Sequence, residues 1–221
     1  MLMDKTFNVK RELVFRTLFG SNENKDILAD FLQPILEYPK EKFEKIEILN
    51  PYLFESDIGV KIKTNDDEYL DVDIQLKEQG GSRRDDVISA LELFGVGMGE
   101  NNGEFLHDSK KKRCISIVIY PEQNVIEESK NYHETFSMRN SESSFIFTNS
   151  FEVHTLEICK IPKDDNSKLA MWLRLLDIEN NDLESIAKQG KEFKKACEII
   201  KALEVWFETE NGNIIKGVKK W

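Results

Sequence analysis

The stretch Asp57 to Gln75, DIGVKIKTNDDEYLDVDIQ, decides the fold. Ile58, Val60 and Ile62, then Leu70, Val72, Ile74 and Leu76, occupy even positions, whereas Asp57, Gly59, Lys61, Asp71, Asp73 and Gln75 occupy odd ones. Successive side chains of a strand point to opposite faces. The pattern therefore predicts two strands, each apolar on one face and polar on the other. Thr64-Asn65-Asp66-Asp67-Glu68 has the chemistry of a short hairpin loop. A three-residue loop that pairs Thr64 with Glu68 sets Gly59 opposite Asp73 and Asp57 opposite Gln75. Opposed Cβ atoms lie about 5 Å apart and diagonal ones about 7–8 Å. Asp57 and Asp73 are thereby placed to reach one hard cation, on the face that the core is not expected to claim.

Outward from the hairpin, residues 9–19 read as a helix stopped by Gly20, and Asn22 or Asn24 is placed to cap a second helix bearing Pro34. Residues 43–49 read as a strand closed by Asn50-Pro51. Gly80-Gly81-Ser82 reads as a loop, and 83–98 as a helix with Val87, Ala90, Leu91 and Phe94 on its buried side. Cys114 to Tyr120, CISIVIY, has the continuous apolar character of a central strand. Strands are predicted at 144–148 and 151–159 with Asn149-Ser150 as the turn between them. A short helix at 168–176 is followed by a long one capped by Asp182 and weakened at Gly190. The order is α-β-β-β-α-β, an α/β fold with a mixed central sheet and a helical C-terminal region. A boundary near 162–167 divides it into 1–162 and 163–221.

The 221 residues carry a net charge of −10, which excludes a general basic surface of the kind that grips nucleic acid. Any nucleic-acid contact must be local, at Arg83-Arg84, Lys110 to Arg113 or the tail lysines Lys216, Lys219 and Lys220, or be assisted by divalent cations. Lys110 to Arg113 reads first as a solvated lead into the buried strand. No apolar run approaches a membrane span of about 20 residues. Three widely spaced cysteines and no signal-peptide pattern fit a reduced, cytoplasmic protein with no membrane partner. His107, His133 and His154 lack zinc spacing with the cysteines. There is no phosphate-binding Gly-x-x-x-x-Gly-Lys loop, and no serine sits in a nucleophile elbow.

Asp57 with Asp73-Ile74-Gln75 resembles the catalytic heart of the PD-(D/E)XK nucleases. The wider text is similar to the PD-(D/E)XK nuclease-family transposases of the recombination-promoting nuclease type. Glu12-Leu-Val-Phe15-Arg16-Thr-Leu18-Phe19-Gly20 resembles their first helix, Phe31-Leu32-Gln33-Pro34-Ile35-Leu36 the end of their second, and Glu157-Ile158-Cys159-Lys160 a late Glu-Leu-x-Lys stretch. The likeness covers about residues 8–160. It departs from the family pattern at Asp73, where glutamate is usual.

The resemblance implies a restriction-endonuclease-like core and a Mg2+-dependent (or Mn2+-dependent) DNA endonuclease linked to recombination or mobile elements. It implies Asp57, Asp73 and the Ile74 carbonyl as metal ligands, Glu12 as the holder of a water on the ion, and Gln75 in place of the motif lysine. Arg84 is the implied DNA contact, Lys77 supplies a positive charge on the face of Gln75, and a homodimer would serve double-strand cutting. The alternative is a catalytically degenerate relative that binds DNA or a protein through the same scaffold. Without the resemblance, Asp71 and Asp73 read as the solvated face of an ordinary hairpin.

Overall fold

A computed structural model describes residues 2–49, 57–77, 83–99, 112–177 and 182–218. Six strands, β1 (Phe43–Ile48), β2 (Asp57–Thr64), β3 (Tyr69–Leu76), β4 (Lys112–Tyr120), β5 (His133–Arg139) and β6 (Ile146–Glu157), form one mixed sheet in the order β1-β2-β3-β4-β6-β5. β3, β4 and β6 run parallel, and the remaining neighbours are antiparallel. The helices are α1 (Leu2–Phe19), α2 (Lys25–Leu36), α3 (Arg83–Gly99), α4 (Lys168–Arg174), α5 (Leu183–Ile186) and α6 (Lys191–Val218). α3 makes the crossover between parallel strands β3 and β4, which no tight turn can make.

The hairpin forms in the predicted register. Asp57 faces Gln75, Gly59 faces Asp73, and the Thr64 amide donates to the Glu68 carbonyl at 2.9 Å. Asp67 takes the left-handed φ of 58° that closes the loop. The even-numbered residues of β2 and β3 join Ile115, Ile117 and Ile119 of β4 in the apolar core. α1, α2, α4 and α6 cover that face with Phe15, Phe19, Phe31, Trp172 and Phe193. Phe19 stacks on Phe31 and meets Trp172 edge-on, and Trp172 stacks on Phe193. Residues on both sides of 163 thus fill one cluster.

The other face of the sheet differs from the expectation. It is covered by α3, so Asp71 and Gln75 are buried rather than solvated. Asp71 is neutralised there by Lys112, also buried, at 2.8 Å. Lys112 is therefore the first residue of β4, not a solvated lead. Arg113 is likewise occupied, by Glu152 at 2.6 Å and by the Tyr38 hydroxyl at 2.7 Å. Lys110 and Lys111 lie outside the described residues, as do the Gly80-Gly81-Ser82 loop, Asn50-Pro51, and Lys219 and Lys220 of the tail.

Four further corrections have local causes. The β6 strand runs unbroken through Asn149-Ser150, because pairing with β4 begins at Phe151 while the earlier residues pair with β5. The turn lies instead at Asn140–Ser144, where the Asn140 Oδ1 accepts from the Glu142 and Ser143 amides. Asp182 caps only the short α5, and the chain breaks at Gly190 before α6 begins. α3 turns Asp86 and Ala90 inward and leaves Val87 and Leu91 about half exposed, while the Phe94 side chain lies outside the described residues. Neither asparagine caps α2 through its side chain: Ser21 caps the preceding turn, and Asn24 donates back to the Thr17 carbonyl at 2.7 Å.

The helical layer is tied by a buried carboxylate. Asp30 accepts from Lys168 at 2.8 Å and from the indole of Trp172 at 3.2 Å, with Lys40 at 3.8 Å. Asp30→Ala would leave a buried indole N–H unpaired and is expected to cost about 2–4 kcal/mol in urea unfolding. A loss below about 0.5 kcal/mol would show that the apolar packing alone fixes α4 against α2.

Candidate active site

The site is built by the hairpin register. Asp57 opens β2, Asp73 and Gln75 lie two residues apart on β3, and all three project to the face beneath α3. The Gln75 amide nitrogen donates to the Asp73 carboxylate at 2.6 Å. That leaves the Gln75 Oε1 buried without a hydrogen-bond partner. Burial pushes the Asp73 carboxyl up to about 6, with the Gln75 hydrogen bond opposing, the Asp57 charge adding and Lys77 opposing. Asp57 and Asp73, diagonal across the hairpin, share one face, and the Asp57 charge adds to a rise that burial dominates.

This donor set fits a hard divalent cation. It offers two carboxylates from adjacent strands and an orphaned carboxamide oxygen, with no sulfur or imidazole. Among the described residues no group of three or more His, Cys, Asp or Glu is arranged for a metal, so the remaining ligands would be neutral oxygens. The Ile74 side chain is fully buried on the apolar face, which leaves its carbonyl as the group it can offer.

The other expected residues come from the end of β3, from α3 and from α1. Lys77 acts electrostatically on both Asp73 and Asp86 and so belongs to the cluster. Arg84 stands exposed on the first turn of α3. Glu12 accepts from Arg16 Nε at 3.2 Å on α1, the helix that packs over the apolar face.

Sequence reasoning missed Asp86. It is 3% exposed, neither carboxylate oxygen has a hydrogen-bond partner, and burial pushes it up to about 6, with Lys77 opposing and Asp85 adding. The signal was present in the Asp86 and Ala90 spacing of i and i+4, a narrow stripe suited to a polar sheet face. It was masked by the more apolar stripe beside it.

Residues 9–214 match the family of PD-(D/E)XK nuclease family transposases. The chain belongs to that family, and its α-β-β-β-α-β core within a six-stranded mixed sheet is the restriction-endonuclease-like fold. No curated protein and no solved structure matches the chain. No helix among the described residues is long and apolar enough to cross a membrane.

The raised carboxyl has a consequence for stability. Asp73 titrates near 6 in the folded protein against 3.8 ordinarily, so its ionised form opposes folding fully above about 6 and not at all below 3.8. Asp73→Asn keeps an acceptor for Gln75 and is expected to raise stability at pH 7.5 by about 1–3 kcal/mol in metal-free buffer. The gain should shrink as pH falls toward 4. A destabilised variant, or a gain independent of pH, would contradict the raised carboxyl.

Proposed function

We propose that this protein is a Mg2+-dependent (or Mn2+-dependent) endonuclease that hydrolyses phosphodiester bonds of DNA, acting in recombination or the movement of mobile elements. The supporting observation is the Asp57–Asp73 pair, held by the hairpin register on the face under α3, in a chain of nuclease lineage. Asp57, Asp73 and the Ile74 carbonyl would hold the ion. When bound, the ion would neutralise phosphate oxygens, acidify a water and stabilise the leaving alkoxide.

The chain's own groups do the rest. Gln75 fixes the orientation of the Asp73 carboxylate through its amide hydrogen bond, and its unpartnered Oε1 accepts a hydrogen bond from the attacking water. Lys77 offers positive charge to the phosphate from the same face, and Arg84 meets the strand backbone from the exposed start of α3. Because the whole chain is acidic, these local cations carry the binding. Cutting both strands calls for two such sites, which a homodimer would supply. A second reading, a binding module that no longer cuts, draws on the shorter reach of aspartate at position 73.

Nicking of supercoiled plasmid in Mg2+ and in Mn2+ tests the proposal. Wild type is expected to nick, Asp57→Ala and Asp73→Ala to lose at least about a thousandfold, and Glu12→Gln to lose less than about tenfold. Wild type that binds DNA but does not nick in either metal would establish the second reading instead. In binding titrations Arg84→Ala should lower the salt slope by about 1. An unchanged slope would remove Arg84 from the DNA surface.

A further inference from the structure

Under the first turns of α3 lies a cavity of about 420 Å³ that the phosphate chemistry does not use. Phe136, Phe151 and Val153 give it apolar walls from β5 and β6. Two buried polar side chains open onto it without hydrogen-bond partners: the Asp86 carboxylate, 3% exposed, and the Thr155 hydroxyl, 5% exposed. A buried acceptor left unpaired costs free energy, so a pair of them on one cavity marks a place where a ligand supplies donors. Arg83 braces the rim, donating to Glu128 and to the Val125 carbonyl.

Strand register places this cavity relative to the acids. Gln75 pairs with Val118, which pairs with Thr155, so Thr155 lies on the same face two strands from Gln75. Two strand spacings are about 10 Å. A parallel row runs from Asp73 through Ser116 and Val153 to Phe136. The cavity therefore begins within one nucleotide's reach of the acidic pair. A slot with aromatic sides and acceptors at its floor matches a planar base with an amino group on its edge.

We propose that this cavity receives one nucleobase, unstacked from the strand next to the scissile phosphate, its amino edge donating to Asp86 and Thr155 and its rings lying against Phe136 and Phe151. The assignment rests on the nuclease reading above. It makes α3 and the β5–β6 pair the part of the protein that chooses where the strand is cut.

Oligonucleotides carrying 2-aminopurine at successive positions around a mapped cut test this, since that base brightens when it leaves the stack. Wild type is expected to brighten the base beside the cut at least about threefold and to prefer one base there by about tenfold. Thr155→Val preserves volume, and Phe136 is 46% exposed on an edge strand, so Thr155→Val and Phe136→Ala are both expected to fold. Each should at least halve the brightening and flatten the base preference. If wild type cuts DNA yet no position brightens, or if brightening and preference survive both replacements, the base pocket is wrong while the nuclease reading stands. Wild type that neither binds nor cuts DNA would overturn the nuclease reading and the pocket together.

Discussion

The register of the β2–β3 hairpin governs this structure, because it holds Asp57 and Asp73 on one covered sheet face. The alternation of β2 and β3 commits Asp57, Asp73 and Gln75 to one side, and the loop at Thr64–Glu68 sets the register that places Asp57 opposite Gln75 and diagonal to Asp73. A one-residue slip would send the acids into the apolar core and the isoleucines out. The fold is thus specified by the same pattern that buries the Asp73 carboxyl. The resulting cost in stability is a local conflict within an otherwise consistent sequence.

The cover over that face shapes everything around the pair. α3 converts a hairpin surface into a partly dry compartment, in which each charge needs a partner or shifts its titration. Asp71 meets the need with Lys112, and Asp73 does so in part with Gln75. Asp86 has no hydrogen-bonded partner among the described residues. Lys77 sits in the field of both Asp73 and Asp86, which links the metal-ligand candidates to the cavity beneath α3. On the opposite face, by contrast, aromatic stacking and the Asp30 anchor hold the helical layer together.

What could be read beforehand was local, and what could not was tertiary. The hairpin needed only period-two alternation and turn chemistry, both contained within residues 57–75. The apolar run at 114–120 announced a central strand for the same reason. β5, HETFSMR, was not legible because an edge strand with one weakly buried face carries little pattern. Asn149-Ser150 has turn composition, yet it sits at a register irregularity between the pairing of Thr148 with β5 and the pairing of Phe151 with β4, and the strand runs on through it. The buried side of α3 was misassigned because the sheet beneath it is polar, so the helix presents Asp86 rather than Val87. Lys112 and Arg113 looked like solvated charge because their partners, Asp71 and Glu152, are distant in sequence.

The central claim is that Asp57 and Asp73 together bind one divalent ion. Titration calorimetry with Mn2+ on the full chain, wild type against Asp57→Ala, measures this without relying on catalysis. Binding near one ion per chain in wild type, weakened at least about tenfold in Asp57→Ala, is the result the account predicts. Equal affinity in the two proteins would place the ion elsewhere and contradict it.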